Sequence, residues 1–142
     1  MGVRRIAREC ALQMLYQLDV GKQAQAEILG TFWLMNDHPE KVREFANELF
    51  TGAVSRLSHI DGIIQQHAKN WRLGRMAAVD RNILRLAVYE LLSDSHPPAT
   101  VVINEALEIA KKFSTHESAQ FVNGVLDSIK SDLVQQMEQG KP

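Results

Sequence analysis

The sequence predicts an all-α fold of about seven helices, and three observations carry that expectation. Apolar residues recur every three or four positions through almost the whole chain, and no segment alternates apolar and polar residues as a half-buried strand does. Clusters of Gly, Pro and Asn separate the periodic runs.

From Val3 to about Val20, Ala7, Ala11, Met14, Leu15 and Leu18 recur at helical spacing, and Gly21 is a good carboxyl-terminal stop. A second, less periodic helix runs from about Gln23 to Met35. It ends before Asn36-Asp37-His38-Pro39, where proline can open the third helix, which continues to about Leu57. Ser58 and Asp61 have the spacing of an amino-terminal cap and a first-turn acid, and Ile60, Ile63, Ile64, His67 and Trp71 continue an apolar face, giving a fourth helix. After Leu73-Gly74-Arg75, Val79, Ile83, Leu84, Ala87, Val88, Leu91 and Leu92 form a stripe so wide that this fifth helix should be the central core element. Pro97-Pro98 ends that region. Val102, Ile103, Ala106, Leu107, Ile109, Ala110 and Phe113 then mark a sixth helix, with Glu108 and Lys112 able to pair across one turn of its wet face. The seventh follows Ser114-Thr115-His116-Glu117, where Ser114 and Glu117 fit a capping box, and carries Phe121, Val122, Val125, Leu126, Ile129 and Leu133. The tail from Gln135 is polar. Asn123-Gly124 could close a hairpin, but its neighbours repeat at helical spacing, so it is read as helix interior. Glycine there costs about 1 kcal/mol against alanine, which suggests a close approach by another backbone or a ligand.

Hydrophobic residues make up 45% and charged residues 23% of the 142, the composition of one globular domain and not of a disordered chain. A formal net charge of -1 excludes a global positive field, so any nucleic-acid binding must use a local patch. The single cysteine, Cys10, cannot form an intramolecular disulfide and fits a reducing cytoplasm. No secretory signal is recognisable, and no window approaches the roughly 18 apolar residues of a membrane span, so a soluble protein is expected.

At about 100° per residue, Arg4, Arg5 and Arg8 fall within a sector of roughly 100° on the first helix, beside Leu12 and Tyr16. Guanidinium forks suit phosphates, and a nearby ring can stack an unpaired base. A solvated helix end is the competing account. Cations at a helix amino terminus oppose the macrodipole, which favours a ligand. Phe121 and Asn123 sit near the start of the last helix, with Lys111 and Lys112 just before it, and could extend an RNA track; core packing competes for Phe121. Asp80, Arg81 and Arg85 lie near one end of the central helix, where surface salt bridging competes with a binding role. His38, His59, His67, His96 and His116 lack metal-ligand spacing, and no phosphate-cradling loop, nucleophile elbow or paired carboxylates stand out, so neither a metal, a cofactor nor an enzyme is expected.

Four segments, in order, resemble the NusB family: Arg4-Arg5-Ile6-Ala7-Arg8-Glu9-Cys10-Ala11-Leu12-Gln13; Val79-Asp80-Arg81-Asn82-Ile83-Leu84-Arg85-Leu86-Ala87; Ile103-Asn104-Glu105-Ala106 with Ala110-Lys111; and Phe121-Val122-Asn123-Gly124-Val125-Leu126-Asp127. Each alone is a modest motif; their order and spacing over nearly the whole chain make the resemblance specific. It implies two small helical bundles packed together, about 1–72 and 73–134 with a polar tail 135–142, within one RNA-binding domain. It also implies transcription antitermination at ribosomal RNA operons, with boxA-type single-stranded RNA, the ribosomal protein NusE and the transcription elongation complex as partners. By the same resemblance Arg4, Arg5 and Arg8 form the arginine-rich RNA-binding motif, joined by Lys111, Phe121 and Asn123. Tyr16, Asp80, Arg85 and Glu117 would lie at the partner-facing border. Ile6 stands where the family can carry a further basic residue, which puts weight on the partner for RNA binding. Monomers and homodimers both fit the family. The alternatives are an accessory RNA-binding domain of an rRNA methyltransferase system and a helical protein-protein scaffold.

Overall fold

A computed structural model describes residues 2–93 and 97–139, with side chains as far as Met137. His96 and the end of the expected tail, 140–142, lie outside the described residues. Seven α-helices follow in order among those described: α1 Val3–Asp19, α2 Gln25–Met35, α3 Glu40–Ser55, α4 Leu57–His67, α5 Ala78–Leu92, α6 Ala99–Phe113 and α7 His116–Gln139, with one 3-10 turn at Leu73–Arg75.

The wide apolar stripe of α5 puts it in the middle, where it packs against α1, α3, α4, α6 and α7. Ile83, Leu84, Leu86, Ala87 and Val88 are buried there with Leu15, Phe50 and Leu126 from its neighbours, each large side chain contributing about 1.5–3 kcal/mol of hydrophobic stabilisation. Asp80, Asn82, Arg85 and Glu90 of the same helix are buried too. No buried side-chain nitrogen or oxygen among the described residues lacks a hydrogen-bond partner, so these polar groups avoid the desolvation penalty of unmade bonds.

α1, α2 and α3 pack together on one side of the central helix. α4, which the sequence places in the first bundle, packs mainly against α5 and α7 and only lightly against α3. One continuous core runs through all of these packings.

Several ends differ from expectation by a turn or less. α1 stops at Asp19, and the left-handed residue beyond it is Lys22, with φ 57, while Gly21 is needed because a Cβ there would stand 2.7 Å from the Gln17 carbonyl oxygen. Ser58 is inside α4 and not its cap, because Arg56 alone separates α3 from α4. The cap of α7 is Thr115, whose Oγ1 accepts from the Ser118 N–H at 3.0 Å, one position after the expected Ser114. Nothing crowds Gly124, which faces open space, so close approach does not explain it. The polar tail stays helical to Gln139.

Candidate nucleic-acid interface

The three amino-terminal arginines part company in the fold. Arg8 is only 4% exposed, and its Nε and Nη2 donate to Glu90 of α5 at 2.7 and 2.9 Å. It belongs to the core, with its fork taken up by Glu90. The reason lies in register: Arg8, Leu12 and Leu15 are spaced i, i+4, i+7, so the guanidinium lies on the buried stripe. Arg5 is half-exposed and donates through Nε and Nη2 to Glu105 of α6 at 2.8 and 3.0 Å. That hydrogen bond holds the Arg5 pKa above and the Glu105 pKa below their ordinary values. Arg5 keeps Nη1 for another acceptor, but its charge is already matched. Arg4 is exposed, its guanidinium 5.3 Å from the centroid of the Phe45 ring, a cation–π contact that leaves the outer N–H groups available. Glu90 and Glu105 thus offset two of the three cations that would otherwise oppose the helix macrodipole.

A second basic and aromatic surface lies where the α4–α5 connection meets the start of α7. Trp71, Arg75, Asp80, Glu117, Ser118 and Phe121 line most of an open cleft of about 310 Å³. Phe121 is half-buried and meets Trp71 edge to face, with ring centroids 6.2 Å apart and planes at 71°. Trp71 does not continue an apolar face of α4, which ends at His67; the residue is 54% exposed. Sequence reading missed it, although Lys69, Asn70, Trp71, Arg72 and Arg75 interleave an aromatic with basic residues, a usable nucleic-acid signal. Asn123 is exposed on α7 and Lys111 is exposed on α6, 3.7 Å from Glu108. The structure brings Phe121 into the cleft but leaves Arg4 apart from it, at the far end of α1, which spans roughly 18 Å from Arg4 to Tyr16 at about 1.5 Å per residue.

The expected partner-facing residues also divide. Tyr16 is exposed and lines a mostly apolar groove of about 300 Å³ with Leu12, Gln13, Val79 and Phe113. Glu117 is exposed at the edge of the aromatic cleft. Asp80 and Arg85 are buried, Asp80 at the base of the aromatic cleft that it helps to line. Asp80 accepts from Ser114 and Ser118 Oγ at 3.2 and 3.0 Å, tying the start of α5 to that of α7. Arg85 donates to both Asp61 oxygens at 2.8 and 2.9 Å and to Asp19 at 3.1 Å. Asp61, expected as a first-turn acid, is the α4 half of that bridge. Among the described residues, no group of three or more His, Cys, Asp or Glu side chains could hold a metal ion, and no helix is long and apolar enough to cross a membrane.

A sequence profile described as the NusB family matches residues 5–131. The chain belongs to the NusB family. It is 53% identical over 133 residues to the transcription antitermination protein NusB of Koribacter versatilis, covering 93% of this chain and 91% of that protein. The NusB of Geobacter sulfurreducens is 47% identical, covering 94% and 97%. Among solved structures, T. maritima NusB superposes with a TM-score of 0.82 at 38% identity, covering 92% of each chain. A chain in the crystal structure of antitermination factors NusB and NusE in complex with dsRNA superposes with a TM-score of 0.83 at 30% identity, covering 93% of this chain and 98% of that one. The NusB match includes Arg5, Arg8, Phe121 and Asn123 but begins after Arg4, the most exposed of the amino-terminal arginines.

Proposed function

We propose that this chain is a cytoplasmic transcription antitermination factor that binds boxA-type single-stranded RNA of ribosomal RNA operons together with the ribosomal protein NusE, delivering both to the transcription elongation complex. Its mechanism is assembly and not turnover. The observation that carries the reading is the cleft that exposed Arg75 lines together with the Trp71 and Phe121 rings, with exposed Arg72 in the adjoining pocket on the other side of Trp71, because a chain of net charge -1 has to bind a polyanion through a local patch that combines cations with stacking faces. Arg4 and Lys111 supply further exposed charge, and the apolar Tyr16 groove is the surface suited to NusE.

Titration of boxA-type RNA in the presence of NusE at several salt concentrations tests this. Each phosphate contact removed should flatten the log-log slope by about 0.7. Arg4→Ala and Lys111→Ala are expected to lower the slope, Phe121→Ala to weaken binding with the slope unchanged, and Tyr16→Ala to weaken NusE binding. Absence of RNA binding by the wild-type chain with NusE present would overturn the proposal.

A further inference from the structure

We infer that Trp71 is a base-stacking platform for one unpaired nucleobase, positioned by Gln65; this rests on the proposed RNA-binding reading. A tryptophan that is 54% exposed forgoes much of the burial a large aromatic residue ordinarily gains, yet its backbone is held firmly. The Trp71 N–H donates to the Ala68 carbonyl at 3.1 Å. Gln65 Nε2 donates to the Trp71 carbonyl at 2.8 Å, while Gln65 Oε1 accepts from the Leu73 N–H at 2.8 Å. One side chain of α4 therefore clamps the connection on both sides of residue 72, and the ring is presented from a fixed base.

Phe121 completes the arrangement. Its ring meets Trp71 at 71°, too steep for a base to slide between the two but suited to a corner, in which a base laid flat on the indole abuts the phenyl ring with its edge. Arg72 and Arg75 are exposed on the same connection and, among the described residues, form no ion pair. They lie where the phosphates on either side of a stacked nucleotide would need cations. Glu117 on the α7 side of the cleft carries the opposite sign, so the backbone of the strand should follow the arginine side. A peptide would gain from the rings but would leave the cations unmatched, whereas a nucleotide uses both.

The chain has two tryptophans, and Trp33→Phe leaves Trp71 as its only tryptophan, excited selectively on the red edge of the absorption where tyrosine does not absorb. In that background, with NusE present, addition of boxA-type RNA should quench Trp71 emission, and scanning single abasic sites through the RNA should abolish the quench at one position only. Trp71→Ala should weaken RNA binding by roughly 5- to 150-fold, the range for loss of one stacked base, while Trp71→Phe retains most of the affinity. Gln65→Ala should lower the fluorescence anisotropy of Trp71 in the free chain and weaken RNA binding with the helical content unchanged. Undiminished RNA binding by Trp71→Ala, or RNA binding that leaves the emission of Trp71 unchanged in the Trp33→Phe chain, would overturn the inference and leave the RNA-binding proposal standing. A full quench by NusE alone, to which RNA adds nothing, would assign the ring to a protein contact and overturn it too. Failure of the wild-type chain to bind RNA at all would overturn both.

Discussion

Arg8 and Glu90 meet across the α1–α5 interface as a two-pronged ion pair, with side chains only 5% and 2% exposed. Removing one partner of such a pair leaves an uncompensated buried charge and costs about 3–5 kcal/mol, whereas replacing both with apolar groups of similar volume is often neutral. Arg8→Ala is therefore expected to lower the urea midpoint sharply, and Arg8→Met with Glu90→Leu to recover most of the loss. A single variant within about 0.5 kcal/mol of wild type, the range of ordinary surface substitutions, would show that the pair is not a core element.

The same pair marks the limit of what the sequence reveals. Six of the seven helices were legible from their own apolar period and α2 from the breakers on either side of it, and α5 was recognisable as central because its stripe is too wide for a surface helix. Arg8 was read as a phosphate ligand because its counter-ion lies 82 positions away, a pairing that no local pattern encodes, although its spacing from Leu12 and Leu15 already placed it on the buried face. The internal bonds of Asp80 and Arg85 were hidden for the same reason: Ser114, Ser118, Asp61 and Asp19 reach them from three other elements or their junctions. Trp71 went the other way. Its apolar period continued that of α4, but α4 ends at His67 and Gln65 takes up the backbone groups beyond it, so a residue spaced like core became surface.

Gly52 of α3 faces the Tyr89 ring and hydroxyl of α5, and a Cβ at that position would overlap both. Helix propensity favours alanine over glycine by about 1 kcal/mol, yet overpacking against this half-buried ring, which is itself packed on the core, costs about 1–3 kcal/mol. Gly52→Ala is accordingly expected to destabilise the chain. In a double-mutant cycle, Tyr89→Ala should remove that penalty and let the alanine show its helical advantage. Strict additivity of the two substitutions would refute the contact as the cause.

Two carboxyl groups link stability to acid pH. Burial raises the Asp19 pKa, but hydrogen bonds from Arg81 and Asn82 and the charges of Arg81 and Arg85 outweigh it, leaving a net depression. The hydrogen bond from Arg5 likewise depresses Glu105 against the opposing effect of burial. Since both folded-state values lie below the unfolded ones, the unfolded chain binds more protons in the window between them. The stabilisation is fully present above the ordinary carboxylate range and is lost as pH falls through the depressed values, from about pH 5 downward. Asp19→Asn should lower the melting temperature at pH 7 and make its decline toward pH 3 shallower. An acid limb of wild-type steepness in both Asp19→Asn and Glu105→Gln would sink the assignment.

Cys10 supplies an internal reporter of global opening. Burial, aided by the nearby Glu9 carboxylate, pushes its pKa up to about 11, and the side chain is 5% exposed on the core face of α1. The reactive species is the thiolate, so at pH 8 the native chain should react with a maleimide or iodoacetamide far more slowly than an exposed cysteine peptide. Reaction should accelerate to the peptide rate across the same urea transition that is seen by circular dichroism. In the destabilised Arg8→Ala chain, native-state labelling should speed up in proportion to the larger unfolded fraction when refolding outpaces labelling. Rapid labelling of the wild-type chain without denaturant would instead mean that α1 opens locally, and that the Arg8–Glu90 contact does not hold it against α5.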